Sequence, residues 1–132
     1  MAEQKYFYGL GRRKAATATA RLYSGKGKMT INNKPAEEFL CGNEAWLYEL
    51  LTPFRLLGKE NGFDVTLVVK GGGTAGQIDA MKLAISKALS AMNDDLRSTL
   101  KKNDLLKRDS REKERKKYGL RGARKKEQFS KR

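Results

Sequence analysis

The sequence predicts an α+β fold, in which helices pack on one face of a small sheet of three to four strands. Two segments, 15–23 and 63–69, alternate apolar and polar residues with the period of two that is typical of half-buried strands. A third segment, from about Gly76 to Leu100, places its large apolar residues three and four positions apart, as one face of a helix requires. Such a helix needs an apolar partner surface, and the strands supply one.

The N-terminal part predicts a strand followed by a hairpin. Residues 5–10 (KYFYGL) form the first strand. The second strand carries a face of small side chains that would admit close packing of a helix, made of Ala16, Ala18, Ala20 and Leu22. Two glycines in the loop 24–28 (SGKGK) then predict a tight reversal, so that residues 29–32 pair back on the second strand.

The middle of the chain predicts two short helices and the clearest strand. Proline is favoured in a first helical turn, which suits a short helix over 35–40. Asn43 or Gly42 would cap the next helix, over about 44–51, before Pro53 interrupts it. The strand 63–69 ends at a triple glycine, and the long helix that follows presents Ile78, Met81, Ile85, Leu89, Met92, Leu96 and Leu100 on one face.

Charge divides the chain into a compact domain, residues 1–100, and a basic tail, residues 101–132. The tail holds 15 Lys and Arg against five Asp and Glu, which is most of the net charge of +14. A segment with so few apolar groups cannot bury enough surface to offset the entropy of ordering. We therefore expect a cationic arm that becomes ordered against a polyanion, and nucleic acid is the predicted partner.

The composition argues against several other classes of protein. The chain has no His and one Cys, so it offers no zinc spacing, no internal disulfide and no His-based catalytic pair. We expect neither enzymatic activity nor a cofactor, a metal or a small-molecule substrate. The start lacks the apolar stretch of a signal peptide, no apolar run is long enough to span a membrane, and a reducing compartment fits the single Cys41.

The glycine loop after the clearest strand permits more than one interpretation. Gly71, Gly73 and Gly76 satisfy the pattern G-x-G-x-x-G, but the acidic pair 94–95 lies inside the helical pattern instead of after a second parallel strand. A P-loop is excluded because Gln77 stands where Lys is needed. The start of a helix after glycines would suit a phosphate of a polynucleotide, and a plain flexible turn remains the alternative.

A short basic run near the N-terminus is the second candidate for phosphate binding. Arg12, Arg13 and Lys14 follow a glycine at the predicted strand end. Arginine suits bidentate phosphate contacts, whereas a solvated loop is the plainer alternative for a run this short. In the tail, Tyr118 and Phe129 could stack on bases or fill a groove of a partner.

Four segments together resemble the bacterial-type small-subunit ribosomal protein nine family. They span nearly the whole chain in the order of the family, and the final QFSKR is highly specific when combined with the others. The segments are GLGRRKAATATARL (9–22), GKGKMTIN (25–32), VVKGGGTAGQ (68–77) and LLKRDSREKERKKYGLRGARKKEQFSKR (105–132).

The resemblance implies a fold, a location and partners. The fold would contain a β-α-β crossover, like the second domain of ribosomal protein five, followed by an extended basic tail. The protein would be a structural constituent of the small ribosomal subunit in the cytoplasm, next to other proteins of the subunit head. The resemblance assigns rRNA binding to Arg12, Arg13, Lys14, Gly71, Gly72, Gly73, Lys113, Arg115, Lys116, Lys117, Arg121, Arg124, Lys125 and Lys126. It assigns contact with the tRNA in the peptidyl (P) site to Ser130, Lys131 and Arg132.

Some positions depart from the family pattern, and two other functions share its features. Ile78-Asp79 and Lys82 replace the usual small residues and Arg of the long helix, and Asp104 and Lys107 stand where Gly and Thr are usual. A free RNA chaperone or DNA architectural protein would share the charge and the arm. A basic subunit of an RNA-processing ribonucleoprotein enzyme would share the fold class.

Overall fold

The computed structural model describes residues 5–58 and 62–108, which form an α+β domain with a mixed sheet. Within these residues the sheet has five strands, not the three to four predicted, because a two-residue strand precedes Ala36. The elements in chain order are β1 (Phe7–Arg13), β2 (Ala16–Ser24), β3 (Met29–Ile31), β4 (Lys34–Pro35), α1 (Ala36–Phe39), α2 (Glu44–Leu50), α3 (Thr52–Leu56), β5 (Phe63–Lys70), α4 (Thr74–Met92) and α5 (Asp94–Lys102).

The strands lie in the order β1-β2-β5-β3-β4, with a single parallel pair. β1 pairs antiparallel with β2, and β2 pairs antiparallel with β5. β5 runs parallel to β3, and the chain passes through α1, α2 and α3 between them. This is a β-α-β connection, as the resemblance implies.

The predicted hairpin between the second and third strands is wrong. β5 lies between β2 and β3, so residues 29–31 pair with β5 and not with β2. The physical reason is burial: Val65 and Leu67 make β5 more apolar than the short β3, and a central position covers its buried side chains on both flanks. The loop after Ser24 instead docks on β5, where the Asp64 carboxylate accepts the backbone N–H groups of Lys26 and Lys28 at 3.1 and 3.0 Å.

The predicted small-residue face of β2 is confirmed, and it continues onto β1. Ala16, Ala18 and Ala20 are buried, and α4 crosses both strands on this side. A Cβ atom built on Gly11 would lie 2.0 Å from the carbonyl oxygen of Ala80, and one on Gly9 would come equally close to Ala84. Because helix backbone and strand backbone touch here, no side chain larger than hydrogen fits at either glycine.

The long apolar helix face is confirmed, but the single helix predicted over 76–100 is two helices. α4 ends at Met92, and Asn93 adopts an extended conformation at φ −151° and ψ 119°. Its side chain accepts the N–H of Asp95, and two acids occupy the first turn of α5. Asn followed by Asp is a typical helix start, and this local capping preference overrides the continuous apolar spacing.

The second short helix is capped as predicted, whereas the first begins at Ala36, with Pro35 as its N-cap residue instead of in its first turn. The Asn43 side chain accepts the N–H groups of Ala45 and Trp46 and so caps α2. Leu50 is buried, and Trp46 and Leu47 of this helix pack against the core. Pro53 lies in the first turn of α3, so it begins a new helix where the sequence predicted only an interruption. Within the described ranges, no helix has the length and apolar character that crossing a bilayer needs.

The described part of the chain closes with a turn that packs onto the core. After α5, Asp104 has a positive φ of 57°, and its N–H donates to the carbonyl of Lys101. The N–H of Leu105 donates to the carbonyl of Leu100, which completes a Schellman motif. Leu105 joins the hydrophobic core, so packing extends past residue 100, the predicted end of the compact domain.

Candidate nucleic-acid interface

The β1–β2 turn and the distant end of β5 meet at one end of the sheet. In the strand register, Arg12 of β1 lies opposite Thr17 of β2, which lies opposite Lys70 of β5. A Cβ atom on Gly71 would lie 2.6 Å from the carbonyl oxygen of Ala15, so the glycine loop touches the turn between β1 and β2. The basic run and the glycine loop, which were predicted separately, therefore form one surface.

Three exposed cations surround this meeting point, and we call Arg12, Lys14 and Lys70 the basic corner. All three side chains are exposed. Lys14 occupies the β1–β2 turn in the left-handed region, at φ 53°. Lys70 was not among the predicted site residues. Its signal was its position at the end of a strand, in alternation with buried Val69 and next to the triple glycine.

Arg13 is turned to the opposite side of the sheet from Arg12. It is 9% exposed, and its Nε atom lies 3.5 Å from Oδ2 of Asp79 on α4. The other oxygen of Asp79 lies 4.0 Å from Nζ of Lys82. Asp79 thus ties β1 to the first turns of α4, and the predicted contact of Arg13 with RNA stays a prediction.

The glycine loop leads into an N-terminus of α4 that no side chain caps. Gly71 and Gly72 have positive φ angles of 74° and 69°, a conformation that L-residues with side chains rarely adopt. Gly73 is the N-cap residue, and the first bond of the ladder runs from the N–H of Gln77 to its carbonyl at 2.9 Å. The free N–H groups before Gln77 give this end of a 19-residue helix a partial positive charge beside the basic corner.

An asparagine that the sequence analysis missed fixes the end of β5. The side-chain amide of Asn32 donates to the carbonyl of Val69 at 3.0 Å and accepts the N–H of Val69 at 2.9 Å. Asn32 itself has a positive φ of 51°, which asparagine tolerates better than most residues. The amide thereby continues the β3–β5 ladder one step further and holds the strand just before Lys70.

Chemistry other than charge is sparse in this part of the chain. Over residues 5–58 and 62–108, no three His, Cys, Asp or Glu side chains are grouped in a way that could hold a metal ion. Cys41 is exposed on a turn. The pKa of Asp64 is lowered because its carboxylate accepts the backbone N–H of Lys28, which has the larger effect, and that of Lys26.

The predicted tail contacts lie outside the described residues. They are Lys113, Arg115, Lys116, Lys117, Arg121, Arg124, Lys125, Lys126, Ser130, Lys131 and Arg132.

Comparison with known proteins identifies the family. The family model described as ribosomal protein S9/S16 matches residues 11–132. The chain is 46% identical to small ribosomal subunit protein uS9 of Synechococcus sp. strain JA-3-3Ab, over 98% of this chain and 95% of the relative. It is 48% identical to protein uS9c of Emiliania huxleyi, over 96% of both chains. It is 47% identical to protein uS9 of Solidesulfovibrio magneticus, over 97% of this chain and 98% of the relative. The resemblance predicted from the four segments is confirmed, and the chain belongs to the ribosomal protein S9/S16 family.

Proposed function

We propose that the protein is a structural, non-enzymatic constituent of the small ribosomal subunit in the cytoplasm, bound to small-subunit rRNA in the subunit head. One observation carries the proposal: a family match over residues 11–132 includes a corner where three exposed cations surround an uncapped helix N-terminus. Its partners would be the rRNA, the P-site tRNA and neighbouring proteins of the head. The fold likeness to the second domain of ribosomal protein five belongs to the same proposal.

The basic corner suits the phosphates of folded RNA. Arg12 can bind two oxygens of one phosphate through its planar guanidinium, while Lys14 and Lys70 act as point charges. The loop Gly71–Gly73 carries no side chains, so a phosphate can approach the N–H groups at the start of α4. The guanidinium of Arg13 would contact a phosphate while it keeps its ion pair with Asp79. Without a phosphate, this ion pair holds the end of β1 against α4.

The tail would supply most of the electrostatic affinity. Each phosphate that Lys or Arg neutralises releases condensed counterions, so the affinity falls as salt rises. With about eight phosphates contacted, the logarithm of the binding constant should fall with a slope of roughly −6 to −7 against the logarithm of salt concentration. A slope near zero for the full-length protein on small-subunit rRNA would contradict the proposal.

Charge-neutral variants can isolate the corner from the tail. Replacing Arg12, Lys14 and Lys70 by Gln should reduce the magnitude of the salt slope by about 2 to 3, since three phosphate contacts are lost. A matched control replaces Lys26, Lys28 and Lys34, which are equally charged and exposed but lie away from the corner. An equal change of slope in both triple variants would mean that only net charge matters and would remove the corner from the proposal.

The three residues 130–132 form a separate element of the proposal. A Ser-Lys-Arg end would hold P-site tRNA by its phosphates, independent of tRNA sequence. Subunits that carry the protein without these residues should assemble normally and retain P-site tRNA less well. If they hold every tRNA as tightly as the parent subunits, the contact with tRNA does not exist.

Sedimentation tests the location in the ribosome. In a sucrose gradient of cell lysate, the protein should migrate with small subunits and with translating ribosomes after a high-salt wash. A protein that stays at the top, follows DNA or washes off would instead be a free nucleic-acid-binding module.

A further inference from the structure

The sheet has a second face, and α4 does not cover it. We call the outward side of β1, β2 and β5 the outer face. Along the strand register its rows are Tyr8–Arg21–Thr66, Leu10–Thr19–Val68 and Arg12–Thr17–Lys70. Each of these residues alternates with one whose side chain or backbone is buried under α4 on the inner side. Tyr8 is 51% exposed and Val68 is 45% exposed, so the face is open to solvent.

Aromatic rings and a guanidinium occupy one end of the outer face. Tyr6, just before β1, lies 5.6 Å from Tyr23 between ring centroids, and the guanidinium of Arg21 lies 5.1 Å from the Tyr6 ring. These contacts hold Tyr6 and Arg21 in place. Tyr8 lies directly opposite Arg21 in the register and presents about half of its surface to solvent. A preordered aromatic platform loses little entropy when a planar group binds to it.

The charges of the outer face indicate an anionic partner. Three cations, Arg12, Arg21 and Lys70, share it with one acid, Asp64, which accepts the backbone N–H groups of the neighbouring loop. Thr17, Thr19 and Thr66 place one hydroxyl in each row, and the two aliphatic side chains, Leu10 and Val68, lie in the middle row. Two aliphatic side chains make only a small apolar centre for a protein partner, whereas three cations beside exposed tyrosines suit a nucleic acid.

The outer face is continuous with the basic corner, because Arg12 and Lys70 belong to both. Tyr8 and Arg12 are four residues apart on one strand, which corresponds to about 13 Å at the usual rise per residue. RNA whose phosphates bind at the corner can therefore extend across the sheet toward the tyrosines. Only unpaired nucleotides expose base faces that can stack on a side chain.

We propose that the outer face binds an unpaired stretch of RNA, with a base stacked on Tyr8 and phosphates held by Arg12, Arg21 and Lys70. The inference rests on the proposed function, since it assumes that the corner binds RNA. The inference specifies that the bound RNA is single-stranded, and it names Tyr8 as the side chain that distinguishes single-stranded RNA from duplex.

Substitution of Tyr8 tests the proposal in the full-length protein. Tyr8→Ala should weaken binding to an unpaired uridine-rich oligoribonucleotide by about 5-fold or more, the effect of losing one stacked base, with little change for a duplex of the same length. Tyr8→Phe keeps the ring and should bind the oligonucleotide like the parent. The salt slope should stay unchanged in both variants, because neither loses a charge.

Tyr48 provides the matched control for an exposed tyrosine. It is 66% exposed but lies on α2, and the guanidinium of Arg55 covers its ring at 3.2 Å from the centroid. Tyr48→Ala should leave the affinity for the oligonucleotide unchanged. Thermal unfolding of all three variants should match the parent closely, since the substituted side chains are exposed.

The possible results separate this inference from the proposed function. If Tyr8→Ala binds the unpaired oligonucleotide as tightly as the parent while the corner variant binds more weakly, the outer face does not stack bases and the corner still binds RNA. Equal weakening for unpaired and duplex RNA, or the loss of a co-purifying protein with RNA binding intact, also overturns it. If the parent protein binds neither small-subunit rRNA nor the oligonucleotide, the proposed function fails as well.

Discussion

The two faces of one sheet differ in what their side chains contact. On the inner face, Gly9 and Gly11 of β1 and the alanines of β2 bring the strands against the backbone of α4. On the outer face, the same strands present Tyr8, Arg12 and Arg21 to solvent. Because successive residues of a strand point to opposite sides, neighbouring positions in the sequence belong to different physical environments.

Because the faces differ in this way, substitutions at neighbouring positions should affect either the free energy of unfolding or the affinity for RNA. Changes on the inner face alter buried apolar area and close backbone contacts, so they should change the free energy of unfolding. Changes of the exposed outer-face residues should change RNA affinity and leave stability nearly constant, whereas Asp64, whose carboxylate holds the neighbouring loop, should affect stability. Arg12 and Arg13 are the sharpest example, since one is exposed and the other is 9% exposed beside Asp79.

The largest expected effect comes from adjacent residues of the central strand. Leu67 is 0% exposed and Val68 is 45% exposed. Leu67→Ala should lower the free energy of unfolding by about 2–5 kcal/mol, because it removes buried methyl groups and leaves a cavity. Val68→Ala should lower it by less than about 1 kcal/mol. Urea unfolding of both variants measures the difference, and equal losses would show that the outer face is also packed.

The next effect concerns the close approach of β1 and α4. Gly11→Ala should lower the free energy of unfolding by about 1–3 kcal/mol, because the new methyl group meets the carbonyl of Ala80 and forces the helix away. Leu10→Ala, one position earlier and on the outer face, is the control and should lose less than about 1 kcal/mol. If Gly11→Ala unfolds at the same urea concentration as the parent, the helix does not contact the strand as closely as described.

Much of this two-faced arrangement was predictable from the sequence, because alternation depends only on local order. The burial of Ala16, Ala18 and Ala20 follows from a period of two, and the cap at Asn43 follows from one residue type. The packing partner of Gly11 was not predictable, since nothing in the sequence places it against Ala80. Glycine in a strand indicates a close approach without saying what approaches.

Two wrong predictions have opposite causes. The hairpin gave too much weight to a local turn signal, and the single long helix gave too little weight to a local capping signal. The two glycines after Ser24 indicated a hairpin, but β5 competes for the edge of β2 from almost forty residues away and pairs with it along its length. At Asn93 a continuous apolar face hid a strong local cap. Lys70 was missed at the site for a related reason: only the register across three strands brings it level with Arg12.

A smaller effect concerns the turn after α5, which packs Leu105 onto the core. Asp104 occupies a left-handed position at φ 57°. Asp104→Gly should raise the free energy of unfolding by about 0.5–1 kcal/mol, since glycine adopts this conformation without steric cost. Asn103→Gly, at the preceding position with a negative φ of −97°, is the control and should not stabilise. A loss of stability in Asp104→Gly would mean that the Asp104 side chain contributes a contact that outweighs the strain.

The last prediction concerns the one acid of the outer face. Hydrogen bonds from the backbone N–H groups of Lys28 and Lys26 lower the pKa of Asp64 below its ordinary value. A lowered pKa in the folded state means that the ionised carboxylate stabilises the fold above the ordinary pKa of about 4, and that this contribution disappears as the pH falls further. Asp64→Asn should therefore be less stable than the parent at neutral pH, and the difference in free energy of unfolding should narrow as the pH falls below about 4. Unfolding curves across this range measure it, with Asp94→Asn as a control on α5. A gap that is constant with pH would show that ionisation of the carboxylate adds nothing to the stability that these two hydrogen bonds provide.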